Sequence, residues 1–143
     1  MPALPAVLLV EDNPDDEALV REAFRRARVG YPLEVARDGV EALSRALDPP
    51  VEERPVLMLL DLMLPRLSGL DVLARLRGDA STMLMPIIVL SSSSERDDIA
   101  KSYEYGANSY LVKPLDFADL EALVRNVAYY WLRHNERPPA MRS

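Results

Sequence analysis

The chain has 143 residues, carries 17 Lys and Arg against 23 Asp and Glu for a net charge of −6, and contains no cysteine. That length suits one domain with a sizeable core. The acidic balance argues against nucleic acid as the main partner, since duplex binding rests on Lys and Arg neutralising phosphates. The absence of cysteine excludes disulfides, thiolate metal sites and thiol nucleophiles.

The N-terminal stretch MPALPAVLLVEDN has no basic leader, and its apolar run stops at Glu11. Neither a signal peptide nor a membrane span is expected, and a cytoplasmic protein is the default. After the first apolar run, Val7 to Val10, Asn13 and Pro14 make an N-cap and first-turn pair. They predict a helix to about Arg28, with Gly30 near its end. A second run, Leu33 to Ala36, precedes Asp38 and Glu41, a capping residue with an acid three positions on. The helix they open should bury Val40, Leu43 and Leu47. A polar connector, Asp48 to Pro55, leads to the third run, Val56 to Leu60. Ser68 with Asp71 then starts a helix whose apolar face is Leu70, Leu73 and Leu76. The fourth run is Ile87 to Leu90, followed by Ser94 with Asp97. The fifth is Tyr110 to Val112, followed by Asp116 with Asp119 and a helix to about Asn135.

The runs are continuous rather than alternating, as in strands buried on both faces. Five such strands alternating with five helices predict an α/β, doubly wound, five-stranded parallel sheet with helices on both faces. Residues 1–135 are expected to form a single domain and 136–143 a short tail. The residues after the fifth helix are too few for a DNA-binding module, so a stand-alone domain is expected.

Sites on such sheets form beyond the carboxyl ends of the strands. The first strand delivers Glu11, Asp12 and Asn13 there, the third Asp61, the fourth Ser91 and Ser92, and the fifth Lys113 and Pro114. The second offers Arg37 and Asp38. If the first and third strands are neighbours, three carboxylates converge. Clustered carboxylates repel unless a cation joins them. An oxygen-only cluster suits Mg²⁺. Zinc is disfavoured, with no cysteine and a single histidine, His134, far along the chain.

Four pieces in this order, LLVEDNPDD (Leu8 to Asp16), LLDLMLPRLSG (Leu59 to Gly69), VLSSS (Val89 to Ser93) and SYLVKP (Ser109 to Pro114), resemble the receiver domain of two-component response regulators. With ARDGVEAL (Ala36 to Leu43) between them, the resemblance spans residues 6 to 130. It implies the flavodoxin-like strand order 2-1-3-4-5. It implies Asp61 as phosphoacceptor for a sensor histidine kinase or phosphotransfer protein. Asp12 and Asp61 would bind Mg²⁺ or Mn²⁺ directly, Glu11 through a water, and Met63 by its backbone carbonyl. Ser91 and Lys113 would bind phosphoryl oxygens, Tyr110 would be the aromatic whose rotation accompanies activation, and the Lys113–Pro114 bond would be cis. A switch of this kind catalyses only its own phosphorylation and dephosphorylation. Two positions depart from the family's habit: Met63 is often polar in relatives, and Ser91 is Ser rather than Thr.

The plain alternatives are an acidic loop at Glu11-Asp12, a strand-end cap at Asp61, a surface lysine at Lys113, core filler at Tyr110, and ordinary loop and cap serines at Ser93 and Ser94. In the last helix, Phe117, Leu120, Val124, Val127 and Trp131 form one stripe, while Leu123, Tyr129, Tyr130 and Leu132 fall off it. That extra apolar width predicts a homodimer face including Tyr129, Tyr130 and Leu132. The resemblance places such a dimer on the fourth helix, fifth strand and fifth helix. The long last helix and the polar connector further resemble the small response regulators of bacterial and cyanobacterial phytochrome kinases. Competing classes are a flavodoxin-like FMN carrier, a haloacid-dehalogenase-like phosphatase, and a degenerate receiver that binds partners without phosphate. The first needs a Ser/Thr/Gly-rich phosphate loop where GluAspAsnProAspAsp stands, and the second needs an Asp where Met63 stands.

Overall fold

The computed structural model describes residues 4–139. Five parallel strands, β1 (Val7–Val10), β2 (Leu33–Ala36), β3 (Leu57–Leu60), β4 (Ile87–Ser91) and β5 (Ser109–Val112), form one sheet in the order β2-β1-β3-β4-β5. Helices α1 (Pro14–Arg26), α2 (Gly39–Leu47), α3 (Gly69–Arg77), α4 (Arg96–Glu104) and α5 (Phe117–Ala128) alternate with the strands. Each strand lies within a residue or two of its expected run. Every residue of β1, β3 and β4 is buried, which is why those segments read as unbroken apolar runs.

The core lies in two layers. On one face Val7, Leu9, Leu57, Leu59, Ile88 and Leu90 meet α1 and α5 through Val20, Phe24, Leu120 and Val124. On the other, Leu8, Val10, Met58, Leu60 and Ile87 meet α2 and α3. Alternate residues of one strand feed opposite layers, as the period of two requires.

The starts of α1, α2 and α3 follow the capping chemistry, whereas at α5 Asp116 stands at the N-cap without a side-chain cap bond. Asn13 Oδ1 accepts from the amides of Asp15 and Asp16 at 2.9 and 3.1 Å, and Pro14 takes the position where no amide hydrogen is needed. Asp38 and Ser68 cap α2 and α3 through the amides of Glu41 and Asp71. At α4 the N-cap is Glu95, not Ser94, and it makes no side-chain cap bond; Ser93 Oγ accepts from the Glu95 amide instead.

In helix α2, Leu43 and Leu47 pack against the core as expected, but Val40 does not. Gly39, Ala42 and Ala46 are the fully buried residues, whereas Val40 is 45 % exposed. A side chain at Gly39 would lie 2.1 Å from the Leu67 carbonyl, so the helix start is pressed onto the loop after β3. Only small residues fit that approach, and the larger Val40 turns outward. At the end of α1, Arg28 rather than Gly30 takes the left-handed conformation (φ 55). The last helix is α-helical to Ala128 and then widens through Tyr129–His134, with the Asn135 amide bonded to the Tyr130 carbonyl at 2.7 Å. Leu123, Trp131 and Leu132 pack against the α1–α5 layer, while Tyr129 and Tyr130 are exposed.

No peptide bond among the described residues is cis, so Lys113–Pro114 is trans, against the cis bond expected there. Trans remains the lower-energy isomer even before proline, by about 0.5–1 kcal/mol.

Gly69 opens α3 directly beneath the end of β3. A Cβ there would stand 2.3 Å from the Asp61 carbonyl and 2.6 Å from Leu62 Cα, both backbone atoms. Gly69→Ala should therefore destabilise the fold by about 1–3 kcal/mol, the usual cost of overpacking a tight contact. Urea unfolding measures it, and an unchanged midpoint would show that this loop yields easily.

Candidate functional site

The sheet ladder runs one residue beyond three strands and fixes the residues that carry charge. The Glu11 amide donates to the Ala36 carbonyl at 2.9 Å, Asp61 to Val10 at 3.1 Å, and Lys113 to Ser91 at 2.8 Å. Each of these residues therefore leaves its strand at a defined height and direction. Because β1 and β3 are neighbours, Glu11, Asp12 and Asp61 converge. One carboxylate oxygen from each lies within 4.8 Å of the others.

Lys113 crosses to this cluster from β5. Its ammonium contacts Glu11 Oε1, lies 3.1 Å from Asp16 Oδ2 and 3.4 Å from Asp61 Oδ2. Glu11 is 1 % and Asp61 8 % exposed, whereas Asp12 is open to solvent. Burial works against the charge on Lys113, but the hydrogen bonds to Glu11 and Asp16 and the charges of Asp61 and Glu11 overrule it and hold its pKa above the usual lysine value. Burial pushes the Glu11 carboxyl up; Lys113 opposes that rise and the Asp61 charge adds to it.

Asp16 was not among the residues singled out in the sequence. The signal that could have found it is its place in the first turn of α1, three residues after the capping Asn13, on the turn that follows the acidic pair. The Asn13 amide also donates to Glu11 Oε2 at 3.2 Å, so the same cap that starts α1 orients the buried carboxylate.

Ser91 is fully buried at the end of β4, and its Oγ accepts from the Ser93 amide at 3.2 Å. Tyr110 is partly buried and its hydroxyl donates to the Ser93 carbonyl at 2.8 Å. Met63 is 74 % exposed, and its amide donates to Asp61 Oδ1 at 3.2 Å. Its side chain thus stands at the rim while its backbone holds the carboxylate. Pro114 follows Lys113 at the same edge. His134 lies in the widened turn after α5, edge-on to Tyr129 at 4.6 Å, and takes no part in the cluster. A cavity of about 480 Å³ near Pro55 and Pro86 contains none of these residues. It lies at the amino ends of the strands; the charged cluster is an open crevice at their carboxyl ends.

The family model of the response regulator receiver domain matches residues 7–125. The chain belongs to this family. It is 37 % identical over 134 residues to the probable methanogenesis regulatory protein FilR2 of Methanothrix harundinacea, covering 92 % of this chain and 86 % of that protein. It is 35 % identical over 137 residues to the response regulator Rcp1 of Synechocystis, covering 94 % and 93 %. The Mn²⁺-bound structure of Rcp1 superposes with a TM-score of 0.83 over 94 % of this chain and 99 % of that one, at 34 % identity. The phosphorylated cyanobacterial phytochrome response regulator RcpA is also 34 % identical, with a TM-score of 0.87 over 96 % of this chain and all of that one. Receiver domains are generally signalling switches rather than catalysts. Membership sets aside the FMN-carrier and phosphatase readings. No helix among the described residues is long and apolar enough to cross a membrane.

The raised Glu11 pKa has a stability consequence. A carboxyl whose folded pKa lies above its unfolded value of 4.5 favours folding below that value, and the benefit is lost as pH rises through the folded pKa. At neutral pH the ionised, buried Glu11 therefore weighs against the fold. Glu11→Gln should raise the thermal midpoint at pH 7, and the gain should shrink toward pH 4, where the wild type is itself protonated. Calorimetry across that range checks it; a variant less stable at pH 7 would show that the Lys113 contact outweighs desolvation.

Proposed function

We propose that this chain is a single-domain response regulator, residues 1–135 with a short tail, that accepts a phosphoryl group on Asp61 from a sensor histidine kinase in a reaction dependent on Mg²⁺ or Mn²⁺. The observation that carries the proposal is the meeting of Glu11, Asp12 and Asp61 within 4.8 Å, with Lys113 reaching Glu11 and Asp61 from the far side.

An oxygen-only donor set with one exposed and two buried carboxylates fits a hard divalent cation. Asp12 and Asp61 would hold it directly, Glu11 through a water and Met63 through its carbonyl. When bound, the ion supplies positive charge against the phosphoryl oxygens. An Asp61 carboxylate oxygen attacks phosphorus; an O–P bond forms, the N–P bond of the phosphohistidine breaks, and the electron pair stays on the imidazole, which takes up a proton from solvent. Lys113 pairs with a second phosphoryl oxygen, and the Ser91 hydroxyl donates to a third. Phosphoryl transfer needs little beyond this positioning and neutralisation. The added charge then draws Ser91 from the Ser93 amide, and Tyr110 reports the change.

Likeness to RcpA, a cyanobacterial phytochrome response regulator, makes a phytochrome-type kinase the narrower candidate, while FilR2 is named for methanogenesis regulation at similar identity. A panel of histidine kinases that includes phytochrome types separates them by phosphotransfer rate. The output surface we favour is a homodimer through α4, β5 and α5. Tyr103, Tyr105 and Val112 are exposed there, as are Tyr129 and Tyr130 beyond it, whereas Leu132 is turned toward the chain's own core.

Incubation with acetyl phosphate and Mg²⁺ should add one phosphoryl mass to the wild type and none to Asp61→Asn, with the gain abolished by chelator. No gain with acetyl phosphate or with any kinase would leave the degenerate receiver, a phosphate-independent binding module, as the better reading. Sedimentation should show a dimer that Val112→Glu weakens at least tenfold. A pure monomer at high micromolar concentration sinks the dimer.

A further inference from the structure

Ser93, which the sequence presents as one hydroxyl in a run of four serines, has every polar group engaged. Its amide donates to Ser91 Oγ at 3.2 Å and its carbonyl accepts from the Tyr110 hydroxyl at 2.8 Å. Its own hydroxyl donates to Asp98 Oδ2 at 2.5 Å and accepts from the Glu95 amide at 3.2 Å. Ser92 and Ser94 on either side are exposed.

Asp98 is the third residue of α4, and its carbonyl accepts from the buried Ser102 hydroxyl at 2.7 Å. The α4 N-cap, Glu95, has no side-chain cap bond. The amino end of α4 is therefore held to the sheet through the Ser93 hydroxyl, by one bond to a carboxylate and one from a free amide. Ser102 is the single buried residue of α4, so little else anchors the helix.

We infer that Ser93 is a positioning residue whose hydroxyl, bonded to Asp98, latches the first turn of α4 to the peptide that joins Ser91 to Tyr110. This rests on the reading of Asp61 as phosphoacceptor. When the Ser91 hydroxyl turns to a phosphoryl oxygen, the Ser93 amide loses its acceptor and the peptide carrying Tyr110's acceptor shifts. With the latch intact α4 follows that shift. With the latch cut the loop moves alone, and α4 does not register the charge at Asp61.

Ser93→Ala removes only the hydroxyl and leaves the amide and carbonyl in place; Asp98→Ala removes the other half, and Ser93→Thr keeps the hydroxyl. Nuclear magnetic resonance follows the α4 amides from Arg96 to Ile99 and the Tyr110 ring, with and without acetyl phosphate and Mg²⁺. Both alanine variants should take up phosphoryl groups as the wild type does, yet show less than half its phosphorylation-dependent shift in α4. The double variant should match Ser93→Ala, since that change already removes the bond to Asp98 together with the one from the Glu95 amide, and Ser93→Thr should restore the response. In phosphate-free protein, amide exchange at Ile99, whose amide donates to the Glu95 carbonyl, should be at least tenfold faster in either alanine variant. An undiminished α4 response, additive effects in the double variant, or unchanged exchange at Ile99 would each overturn the latch. Intact mass reports the Asp61 reading separately. If the wild type gains no phosphoryl group that reading fails, and the Ile99 exchange still decides the latch.

Discussion

The arrangement depends on one ammonium group among carboxylates from three elements. Glu11 and Asp61 sit at the ends of two central strands and Asp16 in the first turn of α1, and Lys113 joins all three from the edge strand β5. Three negative groups gathered at the edge of an apolar sheet repel one another. Without a cation their approach would oppose the β1–β3 pairing that brings them together. Lys113 makes that pairing compatible with a charged crevice, and it leaves Asp12 solvent-facing, where a divalent ion can enter.

Clustering of this sort works against the fold, and the surrounding sequence offsets it. The strands that carry Glu11 and Asp61 are buried along their whole length, and each buried Val or Leu contributes roughly 1.5–3 kcal/mol. Those side chains anchor the backbone so firmly that a buried, partly desolvated Glu11 can be tolerated at its tip. The apolar run around Asp61 and the carboxylate that interrupts it are thus two halves of one device: a stiff stem and the charged group it holds in the crevice.

The parts of this device that follow from local chemistry were legible in the sequence. Continuous apolar runs marked the strands because burial on both faces leaves no alternation, and Asn13-Pro14, Asp38 and Ser68 marked helix starts because capping is a short-range bond. What escaped depends on tertiary approach. Val40 was placed inward by its period, but the contact of Gly39 with Leu67 turns α2 so that alanines face the core. Asp16 belongs to the site only because α1 leaves β1 at the angle its cap dictates. Arg77 gave no signal either. Its guanidinium stitches Gly106, Thr82, Met83 and Met85 carbonyls and Asn108 Oδ1 together at the opposite end of the sheet.

The two sides of the sheet's active edge differ in how tightly they are held, and that difference gives a change of charge somewhere to go. β1 and β3, which bear the carboxylates, are buried throughout. β5 is only partly buried, its last residue is exposed, and α4 contributes one buried residue. Local openings draw on regions with few buried apolar contacts. On the proposed reading of Asp61 as phosphoacceptor, a phosphoryl group there would not readily displace the stems beneath it. The displacement would then be taken up across the Lys113 and Ser91 side, in the loop after β4, α4 and β5. There Tyr103, Tyr105 and Val112 are exposed, and on the same reading they would present the change to another protein surface.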